Sequence, residues 1–140
     1  MNITLSFEFK GKIFDLKAKP IIDAVRRSVQ TLVEKGEQRL DQMLRPRPEG
    51  VYLSVAEAGK GKASTGHYRR SINGKVEGLN GRIDDGKVIY GPWLEGIGSR
   101  NATTRFKGYQ SFRLTYQELK KVAPEIMQKQ LDQAMKELNH

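Results

Sequence analysis

The chain has 140 residues, of which 37% are hydrophobic and 29% charged, with a formal charge of +9 and no cysteine. That is the length of one domain with a modest apolar content, and it excludes a disulfide framework, a thiolate metal site and a cysteine nucleophile. No apolar run approaches the roughly 18 residues of a membrane span. Met1–Phe7 has neither the basic start nor the apolar stretch of a signal peptide, and none is predicted.

The positive charge is concentrated. Residues 45–75 carry 7 basic and 2 acidic side chains, and residues 96–113 carry 4 basic and none acidic. Both segments are rich in Gly, Pro and Ser, which predicts basic loops on a nearly neutral scaffold. Such loops favour nucleic acid or an acidic protein surface.

Ile3, Leu5, Phe7 and Phe9 alternate with polar residues and predict a half-buried strand within residues 1–15. Gly11-Lys12 is a turn signal, and Ile13-Phe14 offers a short return. Pro20 then opens an amphipathic helix over 20–44. Its apolar stripe is Ile21, Val25, Val29, Leu32, Val33, Leu40, Met43 and Leu44. Gly36 falls on that stripe, where it costs about 1 kcal/mol against alanine. Either a close approach of another backbone or a tolerated defect accounts for it.

Arg45-Pro46-Arg47-Pro48-Glu49-Gly50 ends the helix. A flexible basic loop is expected over 45–66, with Val51–Val55 as a brief strand. A hairpin region over 68–95 follows. It runs from Arg69-Arg70-Ser71-Ile72 through Lys75–Leu79 and Gly81–Ile83, turns at Asp84-Asp85-Gly86 and returns along Lys87–Tyr90. Residues 96–108 have no period and read as a long basic loop. Helices over 109–138 carry Phe112, Leu119, Val122, Ile126, Met127, Leu131, Ala134, Met135 and Leu138, and Pro124 predicts a break between one helix ending near Lys121 and a second starting at Pro124, or a kink there.

Few residues invite catalytic chemistry. Gly59–Ser64 imitates a phosphate loop, but Ala56 and Ala63 stand where that motif needs Gly and Ser or Thr. His67, with Ser64 or Ser71 and the Asp84/Asp85 pair, is the material for a small hydrolase or nuclease, and turn chemistry already explains both aspartates. No metal site is implied. Asn101-Ala102-Thr103 fits a glycosylation acceptor by composition alone.

Arg100, Arg105, Phe106, Lys107, Tyr109 and Arg113 place aromatics among cations, a combination suited to protein hot spots or to base stacking. Arg45, Arg47, Lys60 and Lys62 extend the candidate contact set into the first basic loop.

The most specific stretch is Val88-Ile89-Tyr90-Gly91-Pro92-Trp93-Leu94-Glu95-Gly96-Ile97-Gly98. It resembles the signature of a family of neck and tail-completion proteins of tailed bacteriophages. That signature has a strand running into Tyr, a small residue, a short aromatic step, then an apolar residue, Glu and Gly. Arg69-Arg70-Ser71-Ile72 stands where the family has an Arg-x-Ser-Ile-like segment. Tyr109–Arg113 stands at its aromatic-arginine element. Where the family often has Pro and Phe before its C-terminal helix, this chain has Lys107-Gly108-Tyr109. Element order agrees over roughly 20–138, and the residue matches lie within about 68–113.

The residues themselves assign Tyr90, Gly91, Pro92, Trp93, Leu94, Glu95 and Gly96 to a scaffold. Gly91 and Pro92 end a strand, and Tyr90, Trp93 and Leu94 cover the core. Glu95 caps nearby backbone N–H groups or pairs with an arginine such as Arg113. The fold expected is α+β: a small antiparallel sheet packed against the long helix, with the C-terminal helices beside it or reaching a neighbour.

The resemblance implies a structural virion protein at the head–tail junction of a long-tailed phage. It would be made in the host cytoplasm, be non-enzymatic and need no cofactor. The partners it implies are further copies in a six-fold ring, the adjacent connector and tail proteins, and DNA in the lumen, with no membrane. The alternative is a basic nucleic-acid-binding module, although no recognition helix or RNA-binding signature is present.

Overall fold

The computed structural model describes residues 2–6, 19–45, 66–103 and 108–138. In chain order these form β1 (Asn2–Leu5), α1 (Lys19–Met43), α2 (His67–Ser71), β2 (Asn73–Glu77), β3 (Asn80–Asp84), α3 (Gly91–Glu95), α4 (Ser99–Thr103) and α5 (Ser111–Leu138). The fold is α+β, with a three-stranded antiparallel sheet in the order β1-β3-β2.

Alternation decides which sheet face is covered. Ile3, Leu5, Gly81 and Ile83 are buried on one face, with Gly74 and Val76 half-buried beside them. The register places Ile3 opposite Ile83 opposite Gly74, and Leu5 opposite Gly81 opposite Val76. Thr4, Lys75, Glu77, Asn80 and Arg82 point to the exposed side.

The expected stripe of α1 is buried throughout, from Ile21 to Leu44. α1 packs on β2 and β3, and most extensively on α5. α1 and α5 run antiparallel. Ile21 and Ala24 near the start of α1 meet Ala134 near the end of α5. At the other end, Thr115 Oγ1 of α5 lies 3.7 Å from Met43 Sδ of α1.

Glycines set how closely α1 approaches. A methyl group added at Gly36 would overlap the tip of Ile83 and lie 3.1 Å from Leu119 Cδ1. One added at Gly81 would lie 2.7 Å from Val33 Cγ2 and 2.8 Å from Val29 Cγ1. The helix is therefore small where the sheet is large, and the sheet is small where the helix is large. Gly36 marks a close approach of the Ile83 and Leu119 side chains, not of another backbone as expected, and is not a defect.

Three sequence expectations are corrected. The hairpin turns at Gly78-Leu79, not at Asp84-Asp85-Gly86, because Glu77 pairs with Asn80 and Gly78 takes φ +59°. Asp84 and Asp85 do turn the chain: Gly86 N–H donates to Asp84 Oδ1 at 2.9 Å, and Lys87 N–H to Asp85 Oδ1 at 3.0 Å. That turn leads away from the sheet, since β1 already holds the far side of β3. Lys87–Tyr90 is thus no strand, and Gly91-Pro92 begins α3 instead of ending one, with proline in the helix's first positions.

The second correction concerns the break expected at Pro124. α5 is one helix with Pro124 inside it. Pro124 is exposed, while Leu119, Val122, Ile126 and Met127 on both sides of it pack into one core. That shared burial outweighs the local cost of one missing hydrogen bond. The third concerns residues 96–108, which contain the short helix α4. The expectations at Phe7–Phe14, Val51–Val55 and the bulk of loop 45–66 lie outside the described residues.

Candidate functional site

The stretch carrying the resemblance forms α3 and the turns at either end of it. Leu94 and Glu95 are buried, and Trp93 is half-buried against the main core. The chain leaves α3 through Gly96 at φ +100°, whose N–H donates to Pro92 O at 3.0 Å. This is a glycine-terminated helix end, which satisfies carbonyls that would otherwise be left over.

Glu95 is 3% exposed and faces the start of α5. Ser111 Oγ donates to Glu95 Oε1 at 2.8 Å and Phe112 N–H donates to the same oxygen at 2.7 Å. Arg113 N–H lies 3.4 Å from Oε2. A helix start has backbone N–H groups without intrahelical partners, and Gln110, the residue before α5, has φ +54°. A carboxylate from another helix takes that place. Of the two roles expected for Glu95, capping is the one realised; its bond to Arg113 is to the backbone.

A second strand of contact runs beside the first. Tyr109 N–H donates to Leu94 O at 2.6 Å. Gly108 has φ +92°, and a methyl group there would overlap the backbone of Gly96. Two glycines therefore cross with their backbones in contact. Asn101 is 4% exposed. Its Nδ2 donates to Trp93 O at 3.0 Å, and its Oδ1 accepts from Gly98 N–H at 2.9 Å. Asn101, whose triplet fits a glycosylation acceptor by composition alone, is a buried clasp.

Tyr90 departs from its expected core role, being 42% exposed. Its ring lies 6.2 Å from that of His67 and 6.1 Å from that of Tyr68. Tyr68 is buried and donates its hydroxyl to Asp85 Oδ2 at 3.2 Å. Asp85 is itself 1% exposed. Ser71 Oγ donates to the His67 carbonyl at 2.8 Å, not to its imidazole. Asp84 turns toward Gly86 N–H and Arg82. His67, Ser71 and the two aspartates are thus each occupied in local structure.

The candidate contact residues separate. Arg45 and Arg113 are exposed, while Tyr109 is half-buried and packs on the core. Arg47, Lys60, Lys62, Arg105, Phe106 and Lys107 lie outside the described residues, as does the Arg100 side chain. Ile89 and Ile97, at the two ends of α3, are 96% and 65% exposed, and sequence reading did not single them out as contacts. Among the described residues no group of His, Asp and Glu is placed to hold a metal ion, and no helix is long and apolar enough to cross a membrane.

No family model matches this chain, and neither does any curated protein or solved structure.

Proposed function

We propose that the protein is a structural component of a long-tailed phage particle, acting at the head–tail junction by assembling with copies of itself and with neighbouring virion proteins. The observation that carries this reading is the arrangement of the Tyr90–Gly96 stretch. It sets Leu94 in the main core with Trp93 packed against it and commits its carboxylate to the start of α5. It presents Ile89, Tyr90 and Ile97 to solvent around that fixed frame. A rigid, cross-braced corner with apolar groups at its ends suits subunit contact.

The resemblance over 68–113 supports the same reading, and the proposed ring follows the rotational symmetry of such junctions. The basic segments would face acidic surfaces of adjacent rings. Its test is negative-stain microscopy of a lysate in which this gene carries a stop codon. Filled heads with separate or misshapen tails are expected. Normal, infectious particles would overturn the proposal.

A further inference from the structure

β2 stands at one edge of the sheet, and among the described residues no strand pairs with its outer side. An open edge offers its N–H and C=O groups to another strand. The two-residue turn Gly78-Leu79 makes Glu77 and Asn80 a hydrogen-bonded pair. Bonding alternates along an antiparallel ladder, so Lys75 and Asn73 also bond inward to β3. The backbone groups of Gly74 and Val76 are the ones that point out from the edge.

The charges along this edge are unbalanced within one chain. Lys75 stands directly opposite Arg82, and Glu77 stands opposite the neutral Asn80. Like charges directly opposite each other destabilise a sheet. Arg82 has Asp84 at 3.6 Å. Lys75 and Glu77 are both exposed, two residues apart on the same face, and among the described residues neither has an ion-pair partner.

A second copy of β2 answers both charges, in one register only. An antiparallel partner must keep matching faces together, so two copies can pair about residue 74, 75, 76 or 77. Pairing about Lys75 or Glu77 sets identical charges opposite each other. Pairing about Gly74 sets Glu77 against Ser71, which belongs to α2. Pairing about Val76 sets Lys75 of each copy opposite Glu77 of the other, twice. It also lets the two Val76 residues exchange their outward N–H and C=O groups and meet on the half-buried face.

We propose that β2 pairs antiparallel with β2 of a second copy about Val76, joining the two sheets into one across a two-fold axis. Such a contact closes at two copies. It uses no residue of the Tyr90–Gly96 corner and does not rest on the assembly role proposed above. Failure of one leaves the other standing, because microscopy of a defective lysate reads particle morphology and the experiment below reads self-association of the free chain.

The experiment is sedimentation equilibrium of the full chain over a range of concentrations. A reversible monomer–dimer equilibrium is expected, weak because the paired edge is short. K75E and E77K each set like charges opposite across the two-fold axis and should weaken the dimer about tenfold or more. K75E/E77K recreates both opposite-charge pairs and should return the dissociation constant to within about threefold of the unaltered chain. K120E, an exposed change on α5, should leave it unchanged. K75E also puts a carboxylate opposite Arg82 within each chain, so its loss of dimer does not come from a weakened hairpin. Circular dichroism of each variant checks the fold. In hydrogen exchange the Gly74 and Val76 amides should gain protection as concentration rises. A chain that stays monomeric up to its solubility limit would overturn the proposal. So would a dimer that K75E leaves intact, one that the double exchange does not restore, or one that forms without protecting Gly74 and Val76.

Discussion

Glu95 caps the helix on which Phe112 stands: its Oε1 accepts the Phe112 amide at 2.7 Å and the Ser111 hydroxyl at 2.8 Å. The acceptor comes from α3 and the donors from α5, so the contact is tertiary and closes the segment between them. Removing it should be felt at both ends. Glu95→Ala is expected to cost about 1–3 kcal/mol, the range for leaving buried donors unpaired. Glu95→Gln keeps an acceptor oxygen without the charge and should cost less. Urea unfolding of the two variants checks the order, and equal losses would show that a neutral acceptor cannot replace the carboxylate and that the cap rests on its charge.

Gly108 and Gly78 both have positive φ, at +92° and +59°, but only Gly108 is crowded, by the backbone of Gly96. Gly78→Ala should therefore cost roughly 1 kcal/mol, the conformational term alone. Gly108→Ala adds an overlap of backbone on backbone that no rotamer change can relieve. It should exceed Gly78→Ala by about 2 kcal/mol. Thermal unfolding of the two alanine variants gives the difference directly.

Gly36 sits where alanine would ordinarily gain about 1 kcal/mol in helix propensity. Here the added methyl group meets the tip of Ile83, a fully buried side chain, and Leu119. Gly36→Ala is expected to destabilise the protein, and to stabilise it when Ile83→Val removes the clashing carbon. A double-mutant cycle should return a coupling of about 1 kcal/mol or more between the two positions. Additive effects would mean that the sheet and α1 are not held in contact there.

Asn101 uses both ends of its amide on backbone partners. Asn101→Ala should cost about 2 kcal/mol. Asn101→Asp keeps an acceptor for Gly98 N–H but turns a carboxylate toward the Trp93 carbonyl, and should be worse than alanine. Chemical denaturation of both variants ranks them, and a tolerated aspartate would argue against the buried clasp.

Legibility followed the range of the interactions. The α1 stripe was readable from spacing because one buried face imposes one period, and Ile21 through Leu44 lie where that period puts them. Alternation at Ile3 and Leu5 was readable for the same reason. The hairpin was misplaced by local turn chemistry. Asp84-Asp85-Gly86 is a real turn, yet Gly78-Leu79 joins the strands, since strand pairing depends on what lies opposite. Pro124 shows the same conflict, with a local breaker overridden by burial on both sides. At the candidate site, a capping role for Glu95 was readable as one of two options from its position in an apolar step. Its partner at Phe112 was not, because nothing in the local pattern names a helix start elsewhere. Asn101 and Gly108 gave signals of the wrong kind, one a modification pattern and the other a loop glycine.

The amino-acid sequence by itself determined the α+β class, the amphipathic helix over 20–44, the helical C-terminus, the core-facing Ile3 and Leu5 and the concentration of positive charge, all of which follow from periodicity and composition along the chain. Only the tertiary structure decided which turn closes the hairpin, that α5 runs unbroken through Pro124, and that Gly36 and Gly81 admit the facing side chains. Each of these depends on groups distant in sequence meeting in space, where buried packing and paired hydrogen bonds outweigh local preferences.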